Sequence, residues 1–182
     1  MANDEPRFSF FRRPIGNLLP SRTMTLRDAW NYITGPDAVN ATRRLRSLSE
    51  KDERRSFKSN SFDYATFSGT FSKRGRAHLL KHSGLICIDF DHVENVEVLF
   101  NRLLRDEYFE TQLMFRSPSG DGIKWVIPID TGKATHEEYF DGILWYCHET
   151  YGITPDGQCR DVGRACFLPY DPNAYLNDAL KP

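Results

Sequence analysis

The rhythm of apolar and polar positions changes near residue 60. Before it, Thr25 followed by Asp28 forms a capping box that opens a helix through Ile33, and Gly35-Pro36 ends it. A second helix is predicted over Asp37 to Leu48, and Ser49 with Asp52 is placed to cap a third, charged helix reaching about Lys58. Residues 1–23 mix polar and aromatic positions with Pro6, Pro14 and Pro20, a pattern that predicts an extended arm or an irregular first strand. After Asn60, the aromatic and Thr-rich stretch Tyr64 to Phe71 predicts a strand, followed by the basic turn Ser72-Lys73-Arg74-Gly75-Arg76. Leu85-Ile86-Cys87-Ile88 is a continuous apolar run, the pattern of a strand buried on both faces. Apolar residues at 96, 99, 100, 103 and 104 then recur at helical intervals. Gln112 to Arg116 and Ile123 to Ile129 predict two strands joined by the turn-rich Ser117 to Gly122. Thr135 and Glu138 form a second capping box, for a helix through Tyr151 with Gly152 as its stop. A short strand near Ala165 to Leu168 and a turn at Tyr170-Asp171-Pro172 follow. The order predicts an α+β fold with a mixed sheet flanked by helices. Its organisation is an N-terminal arm (1–24) and a single domain (25–182), with a basic helical part (25–60) and a sheet part (61–177).

Composition narrows the class. A chain of 182 residues, 40% hydrophobic and 27% charged, fits one globular domain. Collagen-like, low-complexity and coiled-coil classes are excluded, and no apolar run approaches the ~20 residues of a membrane span. Asp4, Glu5, Arg7 and the Arg12-Arg13-Pro14 break interrupt the N-terminal apolar stretch, so no secretory signal is predicted and a cytoplasmic location is expected. The four cysteines contain no C-x-x-C pair and read as buried free thiols. The net charge of -1 conceals two opposed halves: residues 1–84 hold 16 Lys and Arg against 8 Asp and Glu, and residues 85–182 hold 8 against 17. A basic half suits a polyanion and an acidic half suits cations.

Three constellations carry chemistry. In Ile88-Asp89-Phe90-Asp91-His92, strand alternation sends Asp89 and Asp91 to the same side, about 6 to 7 Å apart at Cα. Two such carboxylates repel unless a cation sits between them, and a divalent ion with oxygen ligands meets that need. Alternatively Asp91 is a helix N-cap with Glu94 completing the box, which leaves Asp89 unexplained. In Ser119-Gly120-Asp121-Gly122-Ile123-Lys124, small residues let backbone N–H groups approach an anion while Lys124 adds a cation, an arrangement able to hold a triphosphate; an ordinary turn with a solvated Lys is the alternative. Its spacing is not that of a Walker loop. Asp156, Asp161 and Arg164 precede the last apolar strand, where one carboxylate would complete a three-carboxylate metal site and Arg164 would meet a phosphate, or where Asp161 and Arg164 form a surface ion pair.

The segments "SGLICIDFDH", "SPSGDGIKWVI" and "RDVGRACFLPYDP" together resemble the archaeo-eukaryotic primase superfamily, and more narrowly its VirE N-terminal-like branch, over about Thr25 to Asn177. The resemblance rests on an acidic pair after a strand, a small-residue turn leading into a strand, and an acidic residue followed by Arg before a strand. It implies a primase-polymerase-like core and a template-directed nucleotidyltransferase serving a mobile element or phage. Asp89, Asp91 and Asp156 would hold two Mg²⁺ or Mn²⁺ ions, with Asp161 the alternative third ligand. Ser119, Gly120, Gly122, Lys124 and Arg164 would bind an NTP or dNTP. Arg43, Arg44, Arg46, Lys73, Arg74 and Arg76 are the candidates for the backbone of a single-stranded DNA template. A helicase or other replication protein is the implied partner, with no membrane association. One departure is Lys124, which stands where most of the superfamily has His. Two rival readings use the same residues: a non-catalytic nucleic-acid-binding module of a replication or transposition protein, and a metal-dependent nuclease.

Overall fold

The computed structural model describes residues 5–181. Its elements are β1 (Phe8–Phe11), β2 (Arg22–Met24), α1 (Leu26–Thr34), α2 (Val39–Ser47), α3 (Lys51–Ser61), β3 (Tyr64–Thr66), β4 (Gly69–Phe71), β5 (Leu79–His82), β6 (Leu85–Phe90), α4 (Val96–Leu104), β7 (Leu113–Arg116), β8 (Ile123–Pro128), α5 (His136–Tyr151), β9 (Cys166–Phe167) and β10 (Tyr175–Leu176). The fold is α+β, as the sequence predicts. The single mixed sheet is replaced by three sheets in which every pairing is antiparallel: β2-β1-β3-β9, β10-β7-β8-β6, and the small ribbon β4-β5.

The β10-β7-β8-β6 sheet is buried on both faces, and strand alternation divides its side chains between two cores. Ile86, Ile88 and Phe90 of β6, with Ile123, Trp125 and Ile127 of β8, pack beneath α4 and α5. Leu85, Val126, Leu113 and Phe115 point the other way, toward β1, α1 and β9. Asp89 and Lys124 share this second parity, so the strands carry them toward the space between the two larger sheets. Trp125, fully buried, satisfies its indole N–H on Thr111 Oγ1 at 2.8 Å.

Both capping boxes form. Thr25 and Asp28 close the start of α1, Thr135 and Glu138 that of α5, and Gly152 ends α5 in the left-handed region at φ 68°. The cap expected from Ser49 does not form: α3 starts one residue later, with Glu50 at the N-cap position and no side-chain cap. The predicted strand Tyr64 to Phe71 breaks at Phe67-Ser68 into β3 and β4, which join different sheets.

The N-terminal segment, read as an extended arm or an irregular first strand, is the hairpin β1–β2, whose first strand sits inside a sheet, between β2 and β3. Phe8, Phe10 and Phe11 are wholly buried, each worth roughly 1.5–3 kcal/mol of apolar transfer. Asp63, 1% exposed, fastens the end of β1 by accepting from Arg12 Nη1 and the Arg13 backbone N–H, both at 2.9 Å, and from the Tyr32 hydroxyl at 3.0 Å. Burial, reinforced by Asp63, raises the Tyr32 pKa and keeps the phenol a donor.

Candidate metal centre and its cleft

β6 is an edge strand, paired on one side with β8 only. At its carboxyl end the open side is met by the segment before β9, where the Asp156 backbone N–H donates to the Asp89 carbonyl at 2.8 Å. That bond brings a residue 67 positions away to the acidic pair. Asp89, Asp91 and Asp156 each offer an oxygen, all within 4.8 Å of one another. Ligands at 2.3–2.6 Å on opposite sides of one Ca²⁺-like ion lie about that far apart, so the three carboxylates can hold a metal ion. Asp89 is buried, Asp156 half-buried and Asp91 exposed, so the group runs from the protein floor to solvent. Asp161, the alternative third ligand, is outside this cluster; its Oδ1 accepts from the Gly163 N–H at 3.0 Å. Asp91 is also not a helix cap: Asn95 caps α4, accepting from the Val98 N–H at 3.1 Å.

Lys124 lies directly across from Asp89 in the β6–β8 register. Its ammonium contacts Asp89 Oδ1 and stands 3.8 Å from Asp91 Oδ1, so its first partner is a carboxylate of the cluster, where the sequence suggested a triphosphate. Burial works against the ammonium, but Asp89 and other nearby anionic groups outweigh it and hold the Lys124 pKa above its ordinary value. For Asp89, burial raises the carboxyl pKa, opposed by Lys124 and assisted by Asp91.

The glycine loop sits over the end of β6. A Cβ on Gly122 would lie 2.4 Å from the Phe90 carbonyl oxygen, so only glycine fits there. Gly120 adopts φ 86° under the guanidinium of Arg46, which donates to the carbonyls of Pro118 at 3.2 Å and Ser117 at 3.4 Å. Arg46, a candidate for template contact, is thereby a brace for this loop. Ser119 lines the cleft beside it. On the far wall, Arg164 donates to Asp156 Oδ2 at 2.7 Å and to Gln158, while its buried Nε–H has no acceptor among the described residues.

Asp89, Asp91, Lys124, Ser119, Asp161 and Arg164 line a cleft of about 550 Å³, and Asp156 lies on the groove that continues it. Lys58, Arg74, His92 and Asp121 line the cleft as well. His92, to which sequence reasoning assigns no role, stands in the left-handed region at φ 54° with its Nδ1 2.9 Å from Asp121 Oδ2. A positive φ at a histidine leaves no mark in the sequence, so its placement emerges only from the fold. Of the other expected template residues, Arg76 pairs with Glu137, Arg44 stands 3.9 Å from Glu53, and Arg74 stacks on the Tyr64 ring 5.0 Å from its centroid. Arg43 and Lys73 are exposed.

Behind the cleft, a chain of neutral imidazoles supports the segment that carries Asp156. The Gly84 N–H donates to His82 Nδ1 at 3.0 Å, His82 Nε2 meets His136 Nδ1 at 3.3 Å, and His136 Nε2 meets the Cys159 carbonyl at 3.2 Å. One assignment satisfies every member: each ring carries its proton on Nε2 and accepts on Nδ1. Burial, and then the facing His136, pulls the His82 pKa down to about 4; burial lowers that of His136 too.

A family model, the BT4734-like N-terminal domain, matches residues 56–176, two thirds of the chain and all three carboxylates. The chain belongs to this family. No curated protein and no solved structure matches it. The part of the BT4734-like domain covered by the match runs from within α3 to β10, so it includes the acidic strand, the glycine loop and the Asp156–Arg164 segment, while β1, β2, α1 and α2 precede it. No helix among the described residues of this BT4734-like domain is long and apolar enough to cross a membrane.

Proposed function

We propose that the domain is a template-directed nucleotidyltransferase of the primase-polymerase type. The observation that carries this reading is the convergence of Asp89, Asp91 and Asp156 where an open cleft, lined by the first two, meets the groove lined by the third, beside phosphate-seeking groups. The donor set is all oxygen, which suits Mg²⁺ or Mn²⁺ better than a soft metal. Asp89, Asp91 and Asp156 would hold one or two such ions. Bound there, the metal would lower the pKa of an attacking 3′-hydroxyl and offset charge on the α-phosphate and the leaving pyrophosphate.

The protein's own groups supply positioning. The orphaned Nε–H of Arg164 is a buried donor without an acceptor, the state that a phosphate oxygen relieves. Ser119 offers a further polar contact to an NTP or dNTP triphosphate on the opposite wall, while the Gly120 N–H is spent inside the loop on the Ser117 carbonyl at 2.9 Å. Lys124 keeps the two strand carboxylates from repelling each other before a metal enters, and it shares their charge afterwards. No side chain needs to act as a covalent nucleophile.

The test is primer synthesis and primer extension on single-stranded DNA with Mn²⁺. Incorporation by the wild type, reduced at least a hundredfold in D89A/D91A and in D156N, is the expected outcome. Incorporation by neither protein, or equal incorporation by both, removes the enzymatic reading. The Lys124–Asp89 pair favours a second reading, a nucleic-acid-binding module without catalysis, because an internal cation already compensates the buried carboxylate. Calorimetry with nucleotide and Mn²⁺ separates the two: the enzyme binds nucleotide in a metal-dependent way, and the module does not.

A further inference from the structure

A helix with nothing buried usually has little reason to hold a fixed place against a domain, yet α3 is such a helix and it borders the cleft. Its sequence, Lys51-Asp-Glu-Arg-Arg-Ser-Phe-Lys58, is divided by charge. At 100° per residue, Lys51, Arg54, Arg55 and Lys58 fall within about 100° of one another, with Asp52 and Glu53 off to the side. The basic stripe forms one wall of a groove of about 860 Å³, and the opposite wall contains Asp91, Asp156, Ser119 and Arg164. Lys58 also lines the inner cleft beside Asp89, so groove and cleft are continuous.

The cations of this stripe are largely uncommitted. Arg54 donates to the Leu48 carbonyl at 3.0 Å, which ties the helix to the chain before it. Glu53 lies beside Arg44 on the neighbouring helix, and no carboxylate pairs with Lys51, Arg55 or Lys58 among the described residues. By contrast, of the basic residues first assigned to the template, Arg46 is spent on the glycine loop and Arg76 on Glu137.

We infer that the α3 stripe, Lys51, Arg55 and Lys58 with Arg54 as its anchor, binds the sugar–phosphate backbone of a single-stranded polynucleotide and leads it toward the carboxylate cluster. Lys51 and Lys58 are separated by about 10 Å along the helix axis, room for about three phosphates at the 3.4 Å per-strand spacing of a nucleic-acid helix. The stripe extends outward from the cluster, while a single triphosphate is provided for by Arg164 and the glycine loop within it. A row of cations without base-reading side chains predicts binding that is tolerant of sequence and steep in salt. The inference rests on the nucleotidyl-transfer reading for what the strand does in the site, and its test does not use activity.

The experiment measures fluorescence anisotropy of a labelled oligothymidylate of about 20 nucleotides between about 50 and 300 mM salt. Wild type is compared with K51A/R55A/K58A. Because none of these side chains is buried, the variant should keep the wild-type melting temperature and Mn²⁺ affinity. The expected result is at least a tenfold rise in Kd at the lower salt and a log Kd against log salt slope smaller by about 2, three contacts at about 0.7 each. K51E/R55E/K58E should abolish binding. An unchanged slope and Kd, or a wild type that does not bind the oligonucleotide, overturns the inference. So does a variant that loses only Mn²⁺·ATP affinity, since the stripe would then serve the free nucleotide. Loss of strand binding in the variant together with a wild type that incorporates nothing leaves the stripe standing and removes the polymerase reading.

Discussion

At the scale of residues, Lys124 separates what the sequence can convey from what it cannot. Its type and its place after the glycine loop are legible, and they point to an anion. Which anion depends on cross-strand register, and the register sets Lys124 opposite Asp89. Removing the ammonium leaves a carboxylate whose side chain is only 10% exposed without its partner, a change that costs about 3–5 kcal/mol for a buried pair. Lys124→Met should therefore lose stability in urea, and added Mn²⁺ should recover more of it than the same ion adds to wild type, because the metal takes over the compensating charge. Equal Mn²⁺ responses in the two proteins would exclude the carboxylates as the binding site. The choice between Asp156 and Asp161 was also open in one dimension. Both precede Arg164, and only the backbone bond from Asp156 to the Asp89 carbonyl decides between them.

Elements with strong local signals were readable: α1 and α5 each carry a complete capping box, and β7–β8 surround a loop rich in turn residues. The elements without a signal of their own are β2, β5 and β10. They are two to four residues long, too short for periodicity, and the partner of β10 also comes from distant sequence, Tyr175 pairing with Met114. Glycines test the loop and the helix in opposite directions. Gly122→Ala forces a Cβ against the Phe90 carbonyl and should destabilise by about 1–3 kcal/mol. Gly142→Ala, within α5 and with open space around it, should stabilise by about 0.8–1 kcal/mol. Thermal melts of both variants check the pair, and equal shifts would contradict the loop geometry.

The imidazole chain predicts a pH dependence at the same scale. His82 has a folded pKa of about 4, below the ordinary 6.5, so the unfolded chain binds more protons between these values. Stability is then complete above about pH 6.5 and falls as the pH drops toward 4. Burial, which disfavours the charged ring, and then the facing His136 set that direction. His82→Asn should flatten the dependence in melts between pH 4 and 7, and an unchanged slope would place the titrating group elsewhere.

For the whole molecule, the family match and the folded unit do not coincide. Residues 56–176 contain every carboxylate of the cluster, but β1 lies between β2 and β3, and its three phenylalanines are entirely covered. A fragment limited to 56–176 should therefore lack cooperative melting and bind a hydrophobic dye, whereas residues 5–181 should melt in one transition; a cooperative fragment would show β1 to be dispensable. The charge asymmetry also takes on a spatial meaning. The basic half contributes α3, the acidic half contributes Asp91 and Asp156, and the two face each other across one groove.

The bond from the Asp156 N–H to the Asp89 carbonyl has a second effect. β6 is apolar along most of its length and has no strand on its outer side, the kind of edge on which a second chain can add by backbone pairing. Where that segment crosses the strand's end, it occupies one of the outward carbonyls that such pairing would use. Protection against self-association and recruitment of the third carboxylate thus depend on the same peptide group, and a change that frees this segment disarms the site and uncovers the edge together.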